Sequence, residues 1–268
     1  YKNRLLMLDI IANNNWQRPI YFSGGSFGDD DYLWMKDYLQ MDGVVYKLVP
    51  IKTPVDKDNP FDMGRVDADK SYEIVKNWDW GNSGDPAVYH DIETRRNGLT
   101  YRSNLARIAE ALLKENKLDK AREILDLAME KMPVDTFAFY SLLEPYMQMY
   151  YRVNQPEKAR DIYAQLAVVY QEKLLYFSSF KTNEQIDMRR EIYTDMERYR
   201  AVVTVLLAED TKQYALAEAI KFNEYIKLFP YLYNPDEGIE LEDQSASNSD
   251  TEIPAEASLQ ELLQSQVN

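Results

Sequence analysis

The residues that could take part in chemistry are few, and most of them lie before the middle of the chain. His90 is the only histidine, and there is no cysteine. These counts exclude a histidine-based triad, a His-rich metal site and a cysteine nucleophile. In the segment VYHDIETRR, His90 is more typical of a loop or a helix start than of an acid–base group. Our favoured interpretation has no catalytic residue, no metal ion and no cofactor.

A glycine-rich loop is the second candidate for chemistry. Residues 23–28 read Ser-Gly-Gly-Ser-Phe-Gly between a predicted strand and a predicted helix, where backbone N–H groups can hold a phosphate. The loop has no lysine, lacks the P-loop and dinucleotide spacings, and is followed by Asp29, Asp30 and Asp31, which would repel an anion. We interpret it as a flexible loop with a helix-capping aspartate. A calcium ion bound by the aspartates is the alternative.

Carboxylates and aromatic rings provide two further hypotheses. An enzyme using Asp29, Asp31 and Asp37 would need a deep pocket lined by acids. A stacking surface for sugars or peptides could use Trp78, Trp80 and Tyr89, or the tyrosines of the later helices (Tyr146, Tyr150 and Tyr151). At helical spacing, however, tyrosines more often pack between helices.

Charge argues against one class of partner. The net charge is −14, and residues 236–268 contain nine acidic residues and no Lys or Arg. Nucleic-acid binding needs a basic face, so we expect no nucleic-acid partner. The acidic, Ser-rich composition of residues 236–254 predicts a disordered tail.

The first part of the chain predicts a small α/β unit, residues 1–93. A short apolar helix, strand, helix, strand and helix are predicted in that order, at residues 5–11, 18–23, 32–41, 43–49 and 67–78. The strand–helix–strand order favours parallel pairing. Asp67 or Asp69 is expected at the N-cap of the last helix.

The following segment, residues 101–133, predicts two amphipathic helices joined by a turn at residues 116–119. Leu105, Ile108, Ala109 and Leu112 recur on one face, and small residues at Ala121 and Ala128 allow close helix approach. With Pro133 at its end, the segment resembles a tetratricopeptide repeat, whose period is 34 residues. Later repeats are expected from about Tyr140, with a late start or kink at Pro145, and over residues 183–230.

These patterns predict an α+β fold that is mostly α. We divide it into the α/β domain, a tetratricopeptide-like helical repeat domain at residues 94–235, and the acidic tail at 236–268. Such an array presents a concave groove. We predict that Arg107, Tyr146, Tyr150 and Arg152 line it.

Two blocks carry a more specific resemblance: NNWQRPIYF at residues 14–22 and YKLVPI at residues 46–51. Together with GRVD and NWDWGNSGDPAVYHDIETRRN, they resemble the C-terminal region of a bacterial polytopic membrane-protein family. That family carries a domain of unknown function related to protein O-mannosyltransferases. The resemblance spans residues 5–232. It implies that the membrane spans and the lipid-linked-sugar site precede Tyr1, which agrees with a chain that does not begin with Met.

The resemblance implies a non-catalytic accessory domain on the periplasmic face of the inner membrane, within a larger membrane glycosyltransferase-like protein. It would bind acceptor polypeptide or a partner protein and would meet the membrane only through the residues upstream. Two alternatives remain open. One is a structural domain that packs on the membrane part, which an exposed apolar face on residues 1–50 would favour. The other is the independent carboxylate-dependent enzyme.

Overall fold

The computed structural model describes residues 2–23, 33–53, 64–138, 140–232 and 239. Within them the protein is α+β and mostly α-helical, with ten α-helices and a small four-stranded mixed sheet near the N-terminus, which confirms the predicted class. The helices are α1 Lys2–Asn14, α2 Ala68–Lys76, α3 Ile92–Lys114, α4 Leu118–Lys131, α5 Val134–Phe137, α6 Glu144–Arg152, α7 Pro156–Ser178, α8 Thr182–Asp187, α9 Arg189–Glu209 and α10 Lys212–Ile226. The strands are β1 Tyr21–Ser23, β2 Leu39–Asp42, β3 Val45–Leu48 and β4 Arg65–Val66. No described helix is long and apolar enough to cross a bilayer.

The chain divides into two compact units, residues 1–160 and 161–268. The first unit contains the sheet together with α1 to α6, so the predicted boundary between residues 93 and 94 falls inside it. The second unit contains α8, α9 and α10. The predicted acidic tail lies outside the described residues except for Ile239.

The sheet differs from the predicted parallel unit. Its strand order is β1-β3-β2-β4, and only the β2–β4 pair is parallel. The predicted helix over 32–41 is also wrong in its second half: Leu33–Tyr38 is a 3-10 helix, and the chain then enters β2. The physical reason is the turn Gly43-Val44, which follows the last residue of β2, Asp42. Gly43 adopts φ 69°, which permits a two-residue turn, and β2 then pairs with β3 as a hairpin.

The helix predicted after the loop is confirmed as α2. Asp67 is its N-cap, since the side chain accepts a hydrogen bond from the Lys70 backbone N–H at 3.2 Å. Val75 and Ser71 are buried on the inner face of α2, and the Ser71 hydroxyl donates to the Met41 carbonyl of β2 at 3.3 Å. This contact places α2 against the sheet.

The best-defined helical hairpin is α3 with α4, as the periodicity predicts. Leu105, Ile108, Leu112, Ile124 and Leu125 are fully buried between them. The first helix, α3, starts earlier than the predicted segment 101–133, two residues before the predicted domain start at Thr94, and α4 begins at Leu118, inside the predicted turn. The start of α3 is fixed by Asp91, whose carboxylate accepts hydrogen bonds from the Glu93 and Thr94 backbone N–H groups.

Asparagine in the left-handed conformation ends two of these helices. Asn116 follows α3 with φ 58°, and Asn154 follows α6 with φ 56°. In each case the next residue donates its N–H back to the last turn, Lys117 to Leu112 at 2.9 Å and Gln155 to Tyr150 at 2.9 Å. These are Schellman-type ends, in which Asn takes the place usually held by Gly.

The late start predicted at Pro145 is confirmed, because α6 begins at Glu144 with the proline in its first turn.

The second unit has its own core. Helices α9 and α10 pack on each other, and Tyr199, Val203, Leu206, Ala219 and Phe222 are buried there. The predicted periodic stretch over 183–207 is interrupted at Met188, which separates the short α8 from α9. Paired helices are thus present in both units, while their assignment to the tetratricopeptide family stays a prediction.

Candidate functional site

The four predicted groove residues occupy different environments in the first unit. Tyr146 is fully buried, and its hydroxyl donates to the Arg102 backbone carbonyl at 2.8 Å. Tyr150 is 2% exposed, and its hydroxyl donates to Asp126 at 2.9 Å. Burial raises the pKa of both tyrosines, so their hydroxyls stay protonated donors. These two side chains pack between helices and are not at the surface.

The two predicted arginines also differ. Arg107 is half-buried and reaches the sheet, where its guanidinium donates to the Gly64 carbonyl at 3.2 Å and to the Tyr46 hydroxyl at 3.4 Å. Arg152 is exposed near the end of α6. The structure therefore does not bring the four side chains together on one exposed face, and their role in binding stays a prediction.

The first unit contains a cleft of about 700 Å³. Its walls come from β1, the β2–β3 turn, the first half of α3, the segment after α4, and residues 77–91 between α2 and α3, which we call the connector. This volume is within the range of about 300–1,000 Å³ typical of small-molecule sites. We call this feature the cleft.

Three aromatic rings form one side of the cleft. The ring centroids of Trp78 and Trp80 are 5.4 Å apart, and Tyr101 lies 5.6 Å from the first and 5.8 Å from the second. We call Trp78, Trp80 and Tyr101 the aromatic cluster. Each of the three side chains is half-buried, so the rings are held in place and still partly accessible.

Glycines make room for the rings. A Cβ atom at Gly43 would lie 2.5 Å from the Trp78 ring, and one at Gly98 would lie 2.7 Å from the Phe137 ring. Gly84 packs so closely on the Glu130 carbonyl of α4 that a Cβ would collide with it. The connector is therefore seated on the helical hairpin by close backbone contact.

Polar contacts fix the same walls. The Asn104 side-chain amide donates to the Gly43 carbonyl at 3.0 Å, which ties α3 to the β2–β3 turn. His90 lies with Nε2 3.0 Å from the Ser83 carbonyl and packs on Phe137 with ring centroids 4.8 Å apart. The sole histidine thus organises the connector, in agreement with the loop position expected from the sequence.

Two polar atoms in the cleft wall have no partner among the described residues. They are the indole Nε1 of Trp80 and the hydroxyl Oγ of Ser83, and both are buried. A buried donor without an acceptor costs about 1–3 kcal/mol. Each buried polar atom of this kind needs a hydrogen-bond partner, and a bound water or a ligand group would supply one.

The charge of the cleft is limited. Asp79 is its one carboxylate, and no Lys or Arg is among the described residues that line it. Thr94, Asn97 and Thr100 add neutral polar groups from the first half of α3. Such a lining favours a neutral ligand over a phosphate or another anion.

Sequence reasoning finds part of this cleft. Trp78 and Trp80, expected as stacking residues, do line it, whereas Tyr89 is 85% exposed and does not. Tyr101 is expected from its pattern only as part of the helical repeat. The usable signal is the spacing of Thr94, Asn97 and Tyr101, which places three side chains on one face of α3.

The second unit contains a buried polar network, and a smaller concave feature of about 310 Å³ lies elsewhere in it, along the first half of α9. The Tyr163 hydroxyl donates to Glu218 at 2.8 Å, Lys221 pairs with the other carboxylate oxygen at 3.0 Å, and Gln171 donates to the Tyr199 hydroxyl at 2.6 Å. Burial raises the pKa of Tyr199 to about 12, so the hydroxyl is neutral at physiological pH. This network satisfies its own polar groups and stabilises the helix packing.

The described residues do not show the acid-lined pocket that the carboxylate-enzyme hypothesis requires. The glycine-rich loop with Asp29 and Asp31 lies outside the described residues. Asp37 is within 4.0 Å of Lys52, at the limit of an ion pair. In the described part of the chain, no group of three or more His, Cys, Asp or Glu side chains could hold a metal ion.

The described part of the chain thus combines helical hairpins and a small mixed sheet with the cleft in the first unit. Residues 1–70 match the family model described as TMEM260-associated domain 2. The match covers α1 and the sheet with the start of α2, and ends before the connector and the cleft-forming part of α3. No curated protein and no solved structure gives a match.

Proposed function

We propose that this chain is a non-catalytic accessory module of a membrane glycosyltransferase-like protein, and that it binds acceptor polypeptide on the periplasmic face of the inner membrane. The family match of residues 1–70 supports the association with such a protein. The observation that carries the binding role is the aromatic cluster beside two unpartnered polar atoms in an open cleft. Rigid aromatic rings with neutral polar groups around them are a common surface for peptide recognition.

In this proposal the binding site is the cleft, and not the groove predicted from the sequence. Tyr146 and Tyr150 are buried and already hydrogen-bonded, so a partner would have to unfold the packing of α6 to reach them. The rings of the aromatic cluster need no such rearrangement. Arg152, which is exposed, stays a candidate for a more peripheral contact.

A peptide array tests the binding role directly. The whole chain, labelled away from the cleft, is applied to short peptides from exported proteins, beside the variant Trp80→Ala and the control Tyr231→Ala. Tyr231 is 72% exposed and does not line the cleft. We expect peptides that the wild type and the control retain and Trp80→Ala loses. Equal retention by all three proteins, or by none, contradicts the proposal.

A second candidate function, structural packing on the membrane part, is favoured by α1. This helix has no buried residue, and Leu5, Leu6 and Ile10 are 66%, 62% and 50% exposed. Burying one such side chain contributes about 1.5–3 kcal/mol, so the helix is far from its most stable environment. The occupant proposed for this face is the protein surface of a membrane-embedded region of the parent protein.

Copurification distinguishes this candidate. The chain and the membrane-embedded region are expressed as separate polypeptides, and the double variant Leu5→Asp with Leu6→Asp is compared with Ile220→Asp. Ile220 is 51% exposed and lies on α10, outside the matched residues. Loss of copurification in the α1 variant alone supports packing through α1. Copurification that survives the α1 substitutions rules it out.

A further inference from the structure

The cleft carries an inference about the chemistry of its ligand. We propose that it binds a neutral sugar ring, held against the aromatic cluster and hydrogen-bonded by the polar groups of the connector and of α3. This inference rests on the proposed binding function and goes beyond it, because it names the group on the ligand that the cleft takes. The sugar would be one already attached to the acceptor polypeptide.

The first argument is the geometry of the aromatic cluster. Trp78 and Tyr101 meet edge to face at an interplanar angle of 79°, and Trp80 is tilted by 59° and 58° to the two. The three rings therefore cannot all stack on one flat aromatic ligand. Because they are tilted to one another, they instead form a concave surface that presents both ring faces and ring edges. A pyranose ring, which presents C–H groups on one face and hydroxyls around its rim, fits such a surface, because C–H groups carry the partial positive charge that a π-face attracts.

The second argument is hydrogen-bonding capacity. Trp80 Nε1 is a donor only, and Ser83 Oγ both donates and accepts. Neither has a partner among the described residues. Both atoms are buried in the free protein, and the exposed side chains of Asn97 and Thr100 place further donors and acceptors along the cleft. A sugar hydroxyl is also both donor and acceptor, and so matches these groups.

The third argument is charge. With Asp79 as the one carboxylate and no Lys or Arg in the described lining, nothing compensates a phosphate. A sugar on a lipid phosphate carrier or a sugar nucleotide would bring an uncompensated anion close to the Asp79 carboxylate. The same neutral sugar linked to polypeptide brings no charge. The lining therefore favours a glycosylated polypeptide, the product of glycosyl transfer, over a phosphate-linked sugar donor.

Titration of intrinsic tryptophan fluorescence, with saturation-transfer NMR as a second readout, tests the proposal on the whole chain. The probes are neutral methyl hexopyranosides, a hexose 6-phosphate, a short unglycosylated peptide and the same peptide carrying one hexose. We expect the methyl glycosides and the glycopeptide to bind, with the glycopeptide tighter. The hexose phosphate should bind more weakly than its neutral counterpart.

Three variants locate the binding. Trp80→Phe keeps an aromatic ring but replaces the indole by a smaller one, and should weaken sugar binding roughly tenfold through the lost stacking area. Asn97→Ala changes an exposed residue of α3 that lines the cleft, so it should leave the fold unchanged, and should also weaken binding. Tyr89→Phe, at a residue outside the lining, is the matched control and should bind like the wild type.

The outcomes separate the two proposals. Equally tight binding of the glycosides and the glycopeptide, with no binding of the unglycosylated peptide, supports the sugar site and overturns the polypeptide role. Binding of the unglycosylated peptide as tight as the glycopeptide, with no binding of free glycosides, overturns the sugar site and leaves the polypeptide role standing. Stronger binding of the hexose phosphate than of the neutral sugar, or equal binding by the wild type, Trp80→Phe and Asn97→Ala, also overturns the sugar proposal.

Discussion

The two units each contain a group of aromatic rings, and the two groups are built differently. In the second unit, the tyrosine cluster of Tyr163, Tyr170, Tyr199 and Tyr225 is at most 6% exposed. Its members contact one another and Phe222, with Tyr170 stacked on Tyr199 at 6.2 Å and Phe222 edge-on to Tyr199 at 5.2 Å. In the first unit, the aromatic cluster is half-buried and borders an open cleft.

The polar atoms of the two groups mark the same difference. The hydroxyls of Tyr163 and Tyr199 have partners in Glu218 and Gln171, whereas Trp80 Nε1 has none among the described residues. The paired hydroxyls stabilise the packing of the second unit, whereas the aromatic cluster leaves one buried donor without a partner among the described residues. Aromatic content alone does not separate these cases, but exposure together with hydrogen-bond partners does.

The largest expected effect comes from removing the centre of the tyrosine cluster. Tyr199→Ala deletes a fully buried ring with three aromatic neighbours and the acceptor of Gln171. We expect it to lower the free energy of unfolding by about 3–5 kcal/mol, measured by urea denaturation. Tyr231→Ala, at a 72% exposed position, should stay within about 0.5 kcal/mol of the wild type. Equal effects of the two variants would show that the tyrosine cluster is not a core.

The next effect tests how the aromatic cluster is held. In Gly84→Ala the new Cβ collides with the Glu130 backbone carbonyl, which cannot rotate away as a side chain could. We expect destabilisation by about 1–3 kcal/mol, the cost typical of overpacking, together with a shift of tryptophan fluorescence as the connector moves. Gly81→Asn is the control, because Gly81 has φ 52°, which Asn tolerates, and a Cβ at this position would meet no atom within 4 Å. A Gly84→Ala protein with wild-type stability and fluorescence would mean that the connector is not anchored at this contact.

A smaller effect isolates one hydroxyl of the tyrosine cluster. Tyr163→Phe keeps the ring but removes the donor to Glu218, which is left with Lys221. We expect a loss of about 1–2 kcal/mol in the free energy of unfolding, the usual effect of one buried hydrogen bond to a charged group. Tyr176→Phe, at a 63% exposed ring, should change nothing measurable. If Tyr163→Phe is neutral or stabilising, the buried hydroxyl is not satisfied in the way the structure indicates.

The sequence predicts the helices well because their signals are local. The periodic apolar residues of α3 and α4, the aspartate caps and the prolines each act within one or two turns. The sheet is predicted less well, since pairing depends on residues distant in sequence. The exception is the hairpin with its turn at Gly43-Val44, because the glycine is a local turn signal that competes with the pattern of a helix ending at Met41.

The candidate site is only partly predictable for a related reason. Trp78 and Trp80 stand out by type, but their position in a cleft depends on Gly43, Gly84 and Gly98, which act through distant partners. Conversely, Tyr146 and Tyr150 have the right types for a binding surface and are buried by the packing of α6 against α3 and α4. Periodicity identifies the apolar face of a helix, but it does not show whether a tyrosine on that face ends at the rim or in the interior.

The smallest expected effect concerns ion pairs between α2 and the α3–α4 turn, which are far more exposed than either aromatic group. Asp69 accepts from Lys117 at 2.6 Å and Lys120 at 2.8 Å, and these hydrogen bonds lower its pKa to about 2 from the usual 3.8. A carboxyl whose folded-state pKa is lowered stabilises the fold above its unfolded pKa, and this contribution disappears as the pH falls through the folded value. The difference in Tm between the wild type and Asp69→Asn should therefore be positive and constant above about pH 5 and should vanish between about pH 4 and pH 2. High salt should shrink the same difference at neutral pH, because exposed pairs are screened. If the difference persists unchanged at pH 2, the pair stabilises the fold by packing of the side chains and not by charge.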